Sequence, residues 1–214
     1  EDLSKKIYGE EYKNYLSARI DNEVIYLNQK VEEGKYIKFL DIQDKDGHRI
    51  YGRTLSIIFI KACKDLFPDC NVTIEHSLGE GLYAEICKEE SINFTQIELI
   101  KDRMKEIIDK DIPIERIKVS KDVALEEFKK HGYDGKVRLL KHIDKETIHI
   151  YKVEDHIDRF HGYLAPSTGY ANIFDLKYYY PGAILLPPSE DIGFTVAEFV
   201  EQRQLARVFK AAEA

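Results

Sequence analysis

YGRTLSIIFIKACKDLFPDCNVTIEHSLGEGLYAEI, residues 51–86, changes its period once, and that change decides the fold. Up to Phe67 the apolar residues Leu55, Ile58, Phe59, Ala62, Cys63 and Leu66 recur at helical spacing, and Pro68-Asp69 closes the pattern. Beyond Cys70 the spacing predicts two strands, over 71–76 and 81–86, turned at Gly79-Glu80-Gly81. A helix that runs straight into a hairpin predicts an α+β domain with an antiparallel sheet and helices, this helix in its core.

Upstream, residues 16–42 alternate apolar and polar positions with breaks at Asp21-Asn22 and Glu33-Gly34, so they predict short strands joined by turns. With the leading helix EDLSKKIYGEEY they form a small α+β unit ending near Asp46-Gly47. Downstream, Ile97, Ile100, Met104, Ile107 and Ile108 mark an amphipathic helix. Ser120 caps a further helix that Gly132 ends. ETIHIYKVEDHIDRF reads as a hairpin turning near Glu154-Asp155, with partner strands expected at 171–178 and 183–186. A last helix is expected over 195–214.

Composition narrows the function classes. With 43% hydrophobic and 33% charged residues, the 214-residue chain can bury one good-sized core or two small ones. Its longest apolar runs fall well short of the roughly 18–20 residues a membrane helix requires, so no membrane partner is expected. Cys63, Cys70 and Cys87 lack C-x-x-C spacing, which implies neither a disulfide framework nor a zinc knuckle and makes the cytoplasm the expected compartment. Net charge is −7, against non-specific nucleic-acid binding. Lys136, Arg138 and Lys141 form the best local basic patch, or simply a solvated face.

The candidate chemistry gathers in HIDRFHGYLAPSTGY, residues 156–170. His156 and His161 with Asp158 between them neither exclude nor select a metal site, because the i, i+4 spacing that converges ligands on a helix is missing. Ser167 and Thr168 belong to a Pro-led turn and read as turn and capping groups rather than nucleophiles, since no G-x-S-x-G elbow is present. The GEG turn holds a glutamate where a phosphate loop would attract an anion. His76 lies near Glu75 and Glu80, as a general base or as a structural histidine. Tyr178, Tyr179 and Tyr180 are open to stacking a base or to covering core.

Four blocks in one order resemble the amino-terminal half of threonyl-tRNA synthetase: YGRTLSIIFIKACKDLFPD (51–69), VTIEHSLGEGLYAEI (72–86), EIIDKDIPIERIKVSKDVALEEF (106–128) and DRFHGYLAPSTGY (158–170). Ahead of them, residues 1–46 resemble a TGS domain, a β-grasp unit, without its first hairpin. The resemblance implies a TGS-like domain over 1–47, an editing-like domain over 48–188 and a helical linker over 189–214. In that family the second domain is an editing hydrolase marked by an H-x-x-x-H helix and a C-x-x-x-H loop before the P-S-T-G turn. The marker positions fall here on Arg53, Ile57, Phe160 and Leu164, and a family tyrosine falls on Ala84. Asp158 and Lys136, the latter expected in a KVRLL strand, keep polar groups that the editing site uses. Ile57, Phe160 and Leu164 can neither ligate a metal nor move a proton, so no catalytic residue and no metal are expected.

A TGS unit, an editing-like domain without its histidines and the segment from LLPPSED onward also resemble the amino-terminal half of bacterial uridine kinase-type nucleoside kinases. That resemblance implies a regulatory region without cofactors of its own, ahead of a kinase domain that would bind ATP and Mg. The missing Met at the start and the unsupported last helix fit a piece of such a longer chain. The expected role is ligand or RNA sensing, with RNA or tRNA, a small ligand and the kinase domain as partners, and a homo-oligomer as a further expectation. Residual aminoacyl-ester hydrolysis and a tethering module are the alternatives. The expected cleft joins Arg53, His76, Lys136, Asp158 and His161, where Arg53 and Lys136 would hold an anion and Asp158 a hydroxyl or amine.

Overall fold

The computed structural model describes residues 1–196 and 198–199. It has an α+β architecture whose three sheets are all antiparallel. The expected helix over 195–214 lies almost wholly outside the described residues.

Its first unit carries α1 (Asp2–Tyr8), a 3-10 turn (Gly9–Asn14) and the strands β1 (Ser17–Ile20), β2 (Glu23–Ile25) and β3 (Ile37–Leu40), paired in the order β2-β1-β3. Leu16, Leu27 and Ile42 share the main core with α2, the Tyr12 and Tyr26 rings meet those of Tyr170 and Tyr163, and polar contacts add to this docking. Lys13 Nζ donates to Asp111 at 2.5 Å, and the Tyr26 hydroxyl donates to the Ile114 carbonyl at 3.1 Å.

The central element is α2 (Lys45–Leu66). Asp44 caps it by accepting from the Asp46 amide, so the helix begins ahead of Tyr51 and runs through the expected 47/48 boundary. Gly47 makes that entry possible, because a Cβ there would lie 1.8 Å from the Asp41 carbonyl oxygen. Leu55, Ile57, Ile58 and Phe59 are all 0% exposed, and at roughly 1.5–3 kcal/mol for each such side chain this helix dominates the core.

Around α2 lie β4 (Asn71–Leu78), β5 (Gly81–Cys87), β9 (Asp175–Tyr179) and β10 (Gly182–Leu186), in the order β4-β5-β10-β9, and the helix α3 (Phe94–Asp109), which a capping box at Asn93 and Gln96 starts. The predicted hairpin is thus present, with each strand slightly longer than expected. A second, smaller core joins α4 (Lys121–Lys130) and α5 (Asp134–Lys141) to β6 (Glu115–Ser120), β7 (Thr147–Val153) and β8 (His156–Asp158), through Phe128, Val137, Leu140, Ile148 and Ile157.

Two expectations are corrected here. The β7–β8 hairpin turns at Glu154-Asp155 as predicted, but its further partner is β6 in a sheet of order β6-β7-β8; residues 175–179 and 182–186 belong to the other sheet. The stretch around Lys136 is the helix α5, whose Val137 and Leu140 bury one side at helical spacing. Among the described residues, no helix is long and apolar enough to cross a membrane.

Candidate functional site

A cleft of about 640 Å³ opens beside the first half of α2. His48, Arg49 and Arg53 from α2 line it together with Arg159, Phe160 and His161 from the loop after β8. Glu80 on the β4–β5 turn, Glu190 and Asp191 after β10, and Ser56 and Ser77 line the same space, and His48 Nε2 lies 3.2 Å from the Pro188 carbonyl.

Three side chains on or near α2 fix the chain after β8. Thr54 Oγ1 donates to the Ile50 carbonyl within α2 and accepts from the Ala165 amide at 2.9 Å. The Tyr51 hydroxyl donates to the Ile173 carbonyl at 2.7 Å and accepts from the Ile173 amide at 2.8 Å. Tyr151, on β7, donates its hydroxyl to the Gly162 carbonyl at 2.6 Å. The loop that carries Arg159 and His161 is therefore tethered to β7 at Gly162 and to α2 at Ala165.

The four family marker positions occupy three kinds of environment. Ile57 and Leu164 are 0% exposed and belong to the main core. Phe160 is half-buried, lines the cleft and meets the Tyr151 ring edge-on at 6.4 Å. Arg53 is half-buried, and its Nη1 donates to the Tyr163 carbonyl over a long 3.4 Å. No carboxylate of the described residues lies within ion-pairing distance of it. Burial draws the Arg53 guanidinium below its ordinary value, the mark of a charge with too little compensation. Gly162, at φ 101°, lets the guanidinium rest on the loop backbone; a Cβ there would come within 2.8 Å of Nη1. Among the described residues no group of three or more His, Cys, Asp or Glu side chains is placed to hold a metal ion.

The expected cleft of five residues divides into three places. Arg53 and His161 share the cavity just described. Lys136 and Asp158 form a separate buried pair, Nζ to Oδ1 at 2.5 Å, with Asp158 only 2% exposed. Burial pushes the Asp158 carboxyl up, but His156 and Lys136 outweigh it and hold it below the usual carboxylate range. His156 Nε2 stands 3.8 Å from Asp158 Oδ2, beyond hydrogen-bond distance, while its Nδ1 lies 3.2 Å from the Tyr133 hydroxyl. Burial, with the Asp158 charge beside it, lifts that phenol to about 12. Lys136 gives one of its donors to Asp158 and lines a different cavity from that of Arg53. His76 lies on β4 with its ring 5.5 Å from that of Tyr83, outside the residues that line the cleft. Ala84 is fully buried on β5.

Ser167 and Thr168 are turn groups, as their sequence suggests. Thr168 Oγ1 donates to the Ile107 carbonyl and accepts from the Ile112 amide, each at 2.8 Å, closing the end of α3. Ser167 donates to Asp111, which also accepts from the Gly169 amide and from Lys13.

The sequence pointed to the Glu80 turn but not to Arg49, Arg159, Glu190 or Asp191 as lining of the cleft. Arg159 had a usable signal, standing between Asp158 and the marker position Phe160. Glu190 and Asp191 had none, because only the path of the chain after β10 brings them to the cleft.

No protein-family model matches the chain. Three curated proteins, each named threonine–tRNA ligase, are similar to it. The protein from Natranaerobius thermophilus is 34% identical over 169 residues, 78% of this chain and 27% of that protein. Those from Carboxydothermus hydrogenoformans and Halorhodospira halophila are 30% and 28% identical over 176 residues, 82% of this chain and 28% of each protein. The chain thus spans just over a quarter of the length of these relatives, and over about four fifths of itself it is a region of threonyl-tRNA synthetase type.

Proposed function

We propose that this region keeps the editing-type fold as a binding module for RNA, with tRNA as the first ligand to test, and has given up ester hydrolysis. The observation that carries the reading is the cleft: it stays open while two marker positions on its border have joined the core and a third presents an unpaired arginine. An arginine at Arg53 neither ligates a metal nor takes a proton at neutral pH, because a guanidinium stays charged. It can hold a phosphate or carboxylate oxygen. The cytoplasm is the setting proposed with it.

The test uses purified protein and a panel of aminoacyl-tRNAs. Saturable tRNA binding with no deacylation above the buffer rate is expected. Turnover that disappears in His76→Ala would instead revive the residual hydrolase.

The loss of hydrolytic groups also favours a second reading, the regulatory part of a nucleoside kinase whose ATP and Mg would sit in a further domain. It rests on domain order alone, an analogy. A phosphate-loop motif in the downstream reading frame is its expected sign; synthetase motifs there would end it.

A further inference from the structure

We infer that the arginine cluster of the cleft is a phosphomonoester site, so that the ligand best matched to the cleft is a small nucleotide with a terminal phosphate. This rests on the proposal that the cleft is a binding site, but not on RNA being what binds there.

Three guanidinium groups, Arg49, Arg53 and Arg159, and two imidazoles, His48 and His161, line one cavity of a chain whose net charge is −7. Self-repulsion opposes such a gathering, and a half-buried guanidinium with no counter-charge is costly to keep. Elsewhere the chain neutralises its enclosed cations: Lys61 has three carboxylates around it and Lys136 has Asp158. In the cleft, Arg49 reaches Asp46 only at 3.5 Å, while Arg53 and Arg159 have no ion pair among the described residues. An arriving anion supplies what the fold withholds. Guanidinium forks match phosphate oxygens in pairs, and a dianion suits several forks better than a single carboxylate does.

The carboxylates of the same cavity set the rest of the ligand. Glu80, Glu190 and Asp191 repel a second phosphate and accept hydrogen bonds from hydroxyl or amino groups, which a ribose and a base edge present. Phe160, half-buried, also lines the cavity and brings an aromatic ring to it. A volume of about 640 Å³ fits a mononucleotide and is large for a free amino acid. The charge pattern therefore favours one phosphate held at the arginines on a body rich in donors.

Calorimetric titration at constant ionic strength, with adenosine and uridine 5′-monophosphates, the two parent nucleosides and inorganic phosphate, tests the inference. At least one monophosphate is expected to bind about tenfold or more tightly than its nucleoside, and Arg53→Gln with Arg159→Gln to weaken it by at least that factor. Arg138→Gln, on a separate cavity beside α5, leaves binding unchanged. If the double variant fails to fold, as judged by circular dichroism, Arg49→Gln with Arg159→Gln replaces it. Equal binding of nucleoside and monophosphate, full binding by the folded variants, or no saturable binding of either monophosphate would each overturn the site. Binding of a monophosphate without any binding of tRNA would sink the RNA reading and leave this one standing.

Discussion

Arg53 and Lys61 stand about two turns apart on one helix and manage their charges in opposite ways. Lys61 is 2% exposed, yet Asp155 at 2.8 Å and Asp65 and Glu154 at 3.2 Å surround its ammonium. Burial alone would pull its pKa down; the hydrogen bonds it donates to Asp155 and Asp65 reverse that and lift it above the ordinary lysine value. Arg53 is less buried and has only a long bond to a carbonyl. One cation ties α2 to the β7–β8 turn, and the other is left for something outside the chain. Burial of a charge is thus no guide to its role; the completeness of its partners is.

The sharpest way to break this contrast is to put imidazoles back where the family carries them. Ile57→His with Leu164→His places two polar rings in core positions that are 0% exposed, and a loss of about 4 kcal/mol or more in chemical denaturation is expected. A stable variant that gained esterase activity would mean that the core around α2 is a latent site rather than filler. Next in size is Lys61→Met, which leaves the turn carboxylates without their cation and should cost about 2–3 kcal/mol, at the low end for a buried pair because those carboxylates stay wet. A neutral result would remove the structural half of the comparison.

Acid and base then probe the same clamp. The Lys61 hydrogen bond holds the Asp155 carboxyl below 3.8, so its contribution is complete above about pH 4 and is lost as pH falls through the lowered folded value. The Lys61 pKa is raised above 10.5, so its part is complete below that pH and lost as pH rises past the folded value. Thermal melting against pH should show both flanks in the parent and flatter ones in Lys61→Met. The smallest stability effect belongs to Arg53→Gln, expected within about 0.5 kcal/mol of the parent and of either sign. Its readout is ligand binding, and a large stability loss would make Arg53 a second structural cation.

The sequence showed what is local. The course of α2, α3 and α4 was legible because caps and apolar spacing sit within each segment, and the β4–β5 hairpin because Gly79 and Gly81 frame its turn. Strand β6 was hidden because ERIKVS is fixed by pairing with β7, a partner about thirty residues away. Lys136 was placed on a strand because KVRLL is apolar in a short run, where strand and helix are hard to tell apart. In the site, the expected cleft included both Arg53 and His161, which share one cavity. The separation of Lys136 and Asp158 from them, and the arrival of Glu190 and Asp191, depend on packing between distant elements.

The first turn of α2 also limits how this protein can be taken apart. Asp44, which caps the helix, and Asp41, whose carbonyl crowds Gly47, come from the small unit, while Ile50, Tyr51, Leu55 and Ile58 of the same helix lie in the main core. A recombinant split at 47/48 would leave one product with a frayed stub and the other with an uncapped helix, and grafting the small unit onto another protein would carry the same scar. The two halves are therefore poor interchangeable parts, and any exchange should join chains before Asp41 or beyond Phe67.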